Sequence, residues 1–295
     1  MLTPGVADLG DVTLSYLEAG DGPLVLCLHG FPDHAPTFRP LLGALAAEGF
    51  RAVAPFMRGY APSTVEAATY ESAALASDAL RLAEALAGDA PVCLVGHDWG
   101  GVAALHAAAW RPERVACLVT LAMPHAAALA GALRRDRAQL RRSWYEFVFL
   151  AEGFAERLVA DDDFAFVRTL AAEWSPGGSL PPEEWDAVIR TLSAPGVLRA
   201  ALGYYRAAFR ADRRDPALAD AARRWADPVA VPTLAVAGAD DGCVGVAVHR
   251  AQASHFTGPF RLEVVPGAGH WPHREAPAAV EPFVAAWLRQ HGGAA

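Results

Sequence analysis

An aspartate occupies the centre of a glycine-flanked segment that directly follows an apolar run. The segment is Gly96-His97-Asp98-Trp99-Gly100, and the run before it is Val92-Cys93-Leu94-Val95. The spacing is typical of the strand-to-helix turn that presents a nucleophilic serine as G-x-S-x-G, here with Asp98 in place of the serine. An aspartate side chain has an unperturbed pKa of about 3.9, so it is ionised at neutral pH and needs no base before it attacks.

A carboxylate nucleophile restricts the reaction class. When it attacks an ester it forms a mixed anhydride that reverses easily, whereas attack on a strained or activated sp³ carbon forms a stable alkyl ester. We therefore expect Asp98 to displace a leaving group at carbon, and we expect water to hydrolyse the enzyme-bound ester that results.

Short apolar runs alternate with helical patterns along most of the chain. The patterns predict strands at 12–18, 24–28, 50–54, 92–96, 115–121, 233–237 and 260–265, and helices at 40–48, 70–87, 101–110 and 275–290. The run at 24–28 is apolar throughout, as a parallel strand covered on both faces should be. The alternation predicts an α/β fold with a mostly parallel sheet and helices on both faces.

Residues 124–227 interrupt this alternation. They show no strand pattern and are rich in Arg, Trp, Tyr and Phe at helical spacing. We expect a helical cap at 124–227 that is inserted into a core formed by residues 1–123 and 228–295.

Composition and charge exclude several function classes. The net charge is -8 and all 25 basic residues are arginine, so the chain lacks the positive surface that a nucleic-acid partner requires. Neither a signal peptide nor an apolar stretch long enough to span a membrane is recognisable, which predicts a cytoplasmic protein without a membrane partner. The four cysteines are not spaced as C-x-x-C and are expected to be buried free thiols.

The chain resembles the α/β-hydrolase fold family, and within it the epoxide hydrolases and haloalkane dehalogenases. Five motifs carry the resemblance, in the family's order and each beside a predicted strand. They are His29-Gly30-Phe31-Pro32, Arg58-Gly59-Tyr60, Gly96-His97-Asp98-Trp99-Gly100, Gly238-Ala239-Asp240-Asp241 and Gly267-Ala268-Gly269-His270-Trp271. The resemblance implies an eight-stranded sheet, an inserted helical cap and an aspartate nucleophile at Asp98.

The same motifs supply a base and an acid. His270 lies in a glycine-rich turn just past a strand and is expected to deprotonate the water that attacks the Asp98 ester; His273 is the alternative. Asp241 is expected to orient His270 and stabilise its imidazolium form, with Asp240 as the alternative. The position after the sixth strand, where some family members carry this acid, has no carboxylate here.

The oxyanion hole and the rest of the pocket follow from the resemblance. The backbone N–H groups of Phe31 and Trp99 are expected to form the oxyanion hole. His29, Pro32 and Trp99 are expected to contact the substrate.

The leaving group distinguishes the two related reactions. An epoxide opens to an alkoxide that needs a proton donor, whereas a halide leaves as a weak base. Epoxide hydrolases carry two lid tyrosines, and the segments Ser143-Trp144-Tyr145-Glu146-Phe147 and Gly203-Tyr204-Tyr205-Arg206 resemble theirs. Tyr145 and Tyr205 are assigned as these donors, and Tyr204 is the alternative to Tyr205 because adjacent helix residues point about 100° apart.

The sequence therefore predicts a hydrolase that converts a small-molecule epoxide and water to a diol without a cofactor or a metal. The motifs of metal and nucleotide sites are absent from it. A haloalkane dehalogenase with the same nucleophile is the first alternative, and a non-catalytic ligand-binding homologue is the second. The sequence leaves the oligomeric state open, with a homodimer as one option.

Overall fold

The sheet at the centre of the molecule is built from the most apolar segments of the chain. The computed structural model describes residues 2–178 and 180–292. Within them the strands are β1 (Thr3–Asp8), β2 (Thr13–Ala19), β3 (Leu24–Leu28), β4 (Arg51–Pro55), β5 (Val92–His97), β6 (Val115–Leu121), β7 (Thr233–Gly238) and β8 (Phe260–Val265). They form one eight-stranded sheet in the order 1-2-4-3-5-6-7-8. β2 pairs antiparallel with β1 and β4, and the other pairings are parallel.

Helices cover both faces of the sheet and fill the segment between β6 and β7. In the described part of the chain they are α1 (Arg39–Ala47), α2 (Ser72–Ala87), α3 (Trp99–Trp110), α4 (Ala126–Arg135), α5 (Arg137–Arg142), α6 (Trp144–Phe149), α7 (Phe154–Trp174), α8 (Pro182–Leu192), α9 (Val197–Phe209), α10 (Ala219–Ala222), α11 (Val246–Ala251), α12 (Pro272–Glu275) and α13 (Pro277–His291). The backbone of α7 leaves helical geometry at 161–164.

The two faces of the sheet belong to two separate hydrophobic clusters. Successive side chains of a strand point to opposite faces, so Leu26 packs in the cluster of α2 and α3, while Val25 packs in the cluster of α1 and α13. Every residue of β3, β5 and β7 is buried, as expected where helices cover both faces. Full burial of a single leucine contributes about 1.5–3 kcal/mol, and this core holds the strand ends in place.

The segment between β6 and β7 is helical, as predicted. Among its described residues no strand forms, and α4 to α10 occupy it. Its buried side chains, among them Phe149 and Leu202, belong to the same cluster as α2 and α3. The segment therefore packs on the sheet edge at which β5 ends.

Every predicted strand and helix is present, with some bounds shifted by one or two residues, whereas β1 and α11 were not predicted. β3, β6 and β8 have the predicted bounds, but β1 was not identified because it contains Pro4 and Gly5 and is largely exposed. The closing helix is divided into α12 and α13, since Pro277 begins a new helix. No described helix combines the length and the apolar character needed to cross a bilayer. All four cysteines are buried and unpaired, as predicted.

Candidate active site

Asp98 lies in the sharp turn between β5 and α3. Its backbone has φ 50° and ψ −120°, a conformation that L-residues rarely adopt and that costs on the order of 1–3 kcal/mol. The turn is possible because its flanking residues lack side chains: a Cβ on Gly96 would lie 2.3 Å from the Gly100 carbonyl oxygen, and one on Gly100 would lie 2.0 Å from that of Leu28. The surrounding close packing therefore holds Asp98 in a strained, fixed position.

One carboxylate oxygen of Asp98 is already bound by a backbone amide. The N–H of Phe31 donates a hydrogen bond to Oδ1 at 2.8 Å. The approach depends on Gly30, because a Cβ there would lie 2.2 Å from this oxygen. Trp99 is the first residue of α3, so its N–H is one of the amides that a helix leaves without an intrahelical acceptor. The structure thus gathers the predicted oxyanion-hole residues around the Asp98 carboxylate.

His270 and Asp241 lie beside Asp98 at the ends of two neighbouring strands. His270 follows β8, and its Nδ1 is 3.0 Å from Oδ2 of Asp241. The other Asp241 oxygen accepts hydrogen bonds from the backbone N–H groups of Cys243 and Val244, at 2.7 and 2.9 Å. On the opposite edge of the imidazole, Nε2 lies 3.7 Å from Oδ2 of Asp98, which is longer than a hydrogen bond. The imidazole of His270 therefore lies between the carboxylates of Asp98 and Asp241.

The charge state of His270 depends on both carboxylates. Burial alone would lower the pKa of His270, but Asp241, and then Asp98, outweigh it and raise this pKa to about 10. The imidazole therefore carries a proton at neutral pH while both carboxylates are charged. Removing the charge of Asp98 would remove part of that stabilisation and lower the pKa.

The alternatives for the acid and the base lie elsewhere. Asp240 is exposed, and its backbone N–H donates to Ala268. The Nε2 of His273 lies 3.3 Å from the Thr37 hydroxyl, and its ring stacks on Phe38 and lies 4.9 Å from that of His97, between centroids. The contacts of Asp241 and His270 therefore match the predicted roles better than those of Asp240 and His273.

Two tyrosines from the segment between β6 and β7 line the cavity that contains Asp98. Tyr145 of α6 and Tyr205 of α9 both line it, and their rings meet edge to face with centroids 5.9 Å apart. The Tyr145 hydroxyl is 3.3 Å from the Cys243 thiol, while the Tyr205 hydroxyl is buried with no hydrogen-bond partner among the described residues. Tyr204 instead donates to the backbone carbonyl of Arg58 at 2.6 Å. This contact indicates a structural position for Tyr204.

The cavity connects Asp98 with solvent. Its volume is about 250 Å³, and its inner end is formed by Asp98, Trp99 and the two tyrosines. The lining also includes Phe209 and Trp225, whose side chains are 43% and 42% exposed and mark the mouth. A small molecule can therefore reach Asp98 from the surface along a largely apolar passage.

The comparison with known families agrees with this geometry. The model of the "alpha/beta hydrolase fold" family matches residues 23–277. The chain belongs to the α/β-hydrolase fold family. Within it the chain is epoxide hydrolase-like, since it is 30% identical over 290 residues to epoxide hydrolase 3 of Xenopus tropicalis, with 95% of this chain and 75% of the relative covered.

Other α/β-hydrolases of this group match over nearly their whole length. Epoxide hydrolase A of Mycobacterium tuberculosis is 29% identical over 314 residues, with 94% of each chain covered. The solved structure of an epoxide hydrolase from an endophytic Streptomyces superposes with a TM-score of 0.79 at 26% identity and covers 98% of this chain and 95% of its own. The fold is thus shared over nearly the whole chain with this solved epoxide hydrolase.

Two residues predicted to contact substrate in this α/β-hydrolase have other positions. Neither His29 nor Pro32 is among the described residues that line the cavity. Both ring nitrogens of His29 bind backbone atoms, Nδ1 the Gly30 carbonyl and Nε2 the Met57 N–H, and burial lowers the pKa of His29 to about 4. A neutral imidazole held in this way positions the loop of Phe31, so the prediction of substrate contact is corrected for His29 and Pro32.

Motif reasoning missed three residues near this α/β-hydrolase site. Cys243 contacts Tyr145, and Glu146 lines the cavity directly after it. The Glu275 carboxylate accepts from the backbone N–H groups of Gly269 and Trp271, on either side of His270. Cys243 and Glu146 could have been found from their adjacency to Asp241 and Tyr145, whereas nothing in the sequence marks Glu275.

Two groups of buried side chains bring potential metal ligands together in this α/β-hydrolase. They are Asp33, His97 and His273, and Asp241, Cys243 and His270. In the second group the hydrogen bond between His270 and Asp241 already uses two of the three ligand atoms.

Proposed function

We propose that this chain is an epoxide hydrolase that converts an epoxide to a vicinal diol through an alkyl ester on Asp98. The observation that carries the proposal is a carboxylate in an oxyanion pocket that shares one cavity with two phenol donors, Tyr145 and Tyr205. The epoxide hydrolases among its relatives support the same substrate class. We also propose that residues 124–227 form the cap, because they contribute both tyrosines to the cavity, and that 1–123 and 228–295 form the core.

The first step is the opening of the epoxide ring. Oδ1 of Asp98 accepts from the Phe31 N–H, which leaves Oδ2 as the attacking atom. As Oδ2 bonds to the less hindered carbon, the C–O bond of the ring breaks and its electron pair goes to the oxygen. This oxygen takes the proton of one of the two donors, Tyr145 and Tyr205, and accepts a hydrogen bond from the other. Burial raises the pKa of both tyrosines, so both are protonated donors. The buried hydroxyl of Tyr205, unpaired among the described residues, gains a partner in this step, and leaving such a group unpaired costs about 1–3 kcal/mol.

The second step is hydrolysis of the ester. Esterification removes the negative charge of Asp98, so the pKa of His270 falls. The imidazolium gives its proton, through water, to the tyrosinate left by ring opening, and Nε2 can then accept a proton from the attacking water. The hydroxide attacks the ester carbonyl carbon, and the Phe31 and Trp99 amides stabilise the oxyanion on Oδ1. Collapse of the intermediate breaks the bond to the alkyl oxygen, which takes a proton from His270 as the diol leaves. The Asp98 carboxylic acid then gives its proton to His270, which restores the starting charges. The ester formed in the first step thereby converts His270 into the base needed for the second.

The cycle uses side chains and water and requires no cofactor. A haloalkane dehalogenase with the same nucleophile is the alternative reaction, and a non-catalytic ligand-binding protein is the alternative outside enzymes. A cytoplasmic location and a homodimer remain predictions.

The two tyrosines distinguish the reactions. Tyr145→Phe and Tyr205→Phe are each expected to slow epoxide opening by at least about tenfold, and the double variant by about 10²- to 10⁴-fold, because one remaining phenol still donates one hydrogen bond. Single-turnover measurements on an epoxide panel, with haloalkanes in parallel, give the rates. A halide needs no proton, so a dehalogenase would lose little by either change.

Tyr204→Phe is the matched control. It removes a hydroxyl that donates to the Arg58 carbonyl, so we expect a loss of stability of about 1 kcal/mol with the opening rate retained. If the double variant opened epoxides at the parent rate, the tyrosines would be core residues and the assignment of the cap donors would be wrong.

Asp241 is tested through the second step. Asp241→Asn is expected to slow ester hydrolysis by up to about 10⁴-fold, because an amide that donates to Nδ1 stabilises the tautomer that cannot accept a proton at Nε2. Loss of its charge also lowers the pKa of His270, so the residual activity should extend to lower pH. Asp240→Asn, at the exposed neighbour, is expected to change neither quantity. A pH profile of ester hydrolysis in both variants measures this, and a larger defect in the Asp240 variant would reverse the assignment.

A further inference from the structure

Two carboxyl groups besides that of Asp98 line its cavity, those of Glu71 and Glu146. Glu146 directly follows Tyr145 on α6, and its partly buried side chain is among the lining groups. The middle of the lining is otherwise largely aliphatic and includes Val102, Met123 and Leu129. Aliphatic surroundings solvate a carboxylate poorly, so ionised Glu146 costs free energy here. A passage that carries only apolar epoxides would gain nothing from this charge.

No cation neutralises Glu146. Among the described residues, no arginine or histidine lies within ion-pair distance of its carboxylate, and the hydrogen-bonding side chain that stabilises its charge is Ser143. Arg214, the basic residue of the lining, is exposed and acts on Glu71. Burial raises the pKa of Glu71, and the charge of Arg214 opposes that rise. Within the part of the chain that the structure describes, Glu146 is therefore a carboxyl group without a cationic partner.

The titratable groups that face Glu146 are all acidic or neutral. They are Asp98 in the turn between β5 and α3, Tyr145 on α6 beside Glu146, Tyr205 on α9 and Cys243 after β7. Burial first, and then the charge of Asp98, raise the pKa of Glu146 to about 7. Its charge thus titrates in the neutral range, and a cation placed beside it would favour the ionised form.

The same cavity offers aromatic rings. Trp99, Tyr145 and Tyr205 line its inner end, and the Trp99 and Tyr205 rings meet with centroids 5.0 Å apart. Aromatic faces attract ammonium groups, most strongly where water is excluded. A carboxylate without a cationic partner and several aromatic rings near one nucleophile together suit a cationic substituent.

We propose that Glu146 is a specificity-determining residue that selects epoxides carrying an ammonium group within a few bonds of the ring. This inference rests on the proposed epoxide hydrolase function and adds a substrate class to it. The ionised carboxylate attracts the cation and the protonated form does not, so the preference for a cationic epoxide increases with pH.

The test compares two epoxides of the same shape. Glycidyltrimethylammonium carries a permanent charge, and neopentyl oxirane has a carbon atom in place of its nitrogen. The ratio of their kcat/KM values, cationic over neutral, cancels the titration of shared catalytic groups. In the parent enzyme this ratio is expected to rise about tenfold from about pH 6 to about pH 8, as the ionised fraction of a group with a pKa near 7 does.

Glu146→Gln keeps the size and removes the charge. The cationic-over-neutral ratio of this variant is expected to be independent of pH and at least about tenfold below that of the parent at about pH 8. Glu173→Gln removes the same charge from an exposed position on α7 and is expected to keep the parent profile, which controls for net charge. If Glu146→Gln does not fold, Glu146→Met replaces it, because methionine also removes the charge and has a similar length.

The outcomes separate this inference from the function on which it rests. If the neutral epoxide is hydrolysed but the cationic one is not, or if Glu146→Gln keeps the rise with pH, the role of Glu146 is overturned and the epoxide hydrolase stands. If the parent enzyme hydrolyses neither compound and no broader epoxide panel alkylates Asp98, both proposals fail.

Discussion

Asp98→Ala is expected to abolish epoxide turnover while the protein stays folded. Alanine removes the only atom that the proposed mechanism bonds to substrate carbon, and loss of a covalent nucleophile costs on the order of 10⁶-fold in kcat. The fold should survive because alanine fills the same buried position with no larger side chain and the flanking close packing at Gly96 and Gly100 is unchanged. Diol formation on an epoxide panel measures the loss, and circular dichroism with thermal unfolding measures the fold.

The choice of alanine matters for this experiment. Asp98→Asn preserves the shape, but an amide held at a site that activates water is open to hydrolysis back to aspartate, which would restore activity slowly. A folded Asp98→Ala enzyme that formed diol at close to the parent rate would rule out the covalent mechanism. Unaltered binding of an epoxide by a parent protein that never turns it over would instead favour the non-catalytic homologue.

The parts of the fold that could be predicted are those in which local pattern and global position coincide. β3 is a continuous apolar run, and β6 is apolar except for Thr120, because helices cover both faces of the sheet, so their bounds are visible in the sequence. The carboxyl ends of parallel strands meet at one edge, so motifs that follow strands had to converge there. This is why Asp98, Asp241 and His270, which are far apart in the chain, are together in the structure.

The remaining site contacts depend on helix and side-chain orientations that local sequence patterns do not reveal. Tyr204 and Tyr205 are adjacent on α9, and only the packing of that helix decides that Tyr204 reaches the Arg58 carbonyl while Tyr205 faces the cavity. The substrate-contact prediction for His29 failed for a related reason, since its ring turns toward backbone groups. Glu146 stood inside a quoted motif, but its position in the cavity follows from the orientation of α6.

His270→Ala is expected to trap the ester intermediate. Alkylation of Asp98 needs no base, so ring opening should continue, whereas hydrolysis should slow by about 10²- to 10⁴-fold because no group accepts the proton of water. The adduct should therefore accumulate on the protein, and intact-protein mass spectrometry after exposure to epoxide and haloalkane panels should detect it. His273→Ala changes the alternative base, and we expect that variant to turn over substrate without accumulating an adduct, although the lost contact with Thr37 should cost stability.

The mass of the trapped species identifies the reaction. An epoxide adds its whole mass, because the ring oxygen stays as the new hydroxyl, whereas a haloalkane adds its alkyl group and releases the halide. We expect adducts from epoxides and few or none from haloalkanes. The variant that combines His270→Ala with Asp98→Ala is expected to form no adduct, which would assign the adduct to the Asp98 side chain. Adducts from haloalkanes alone would make the enzyme a dehalogenase with the same nucleophile. Since the two reactions share Asp98, His270 and Asp241, the leaving group is the chemical difference between them, and this experiment measures it directly.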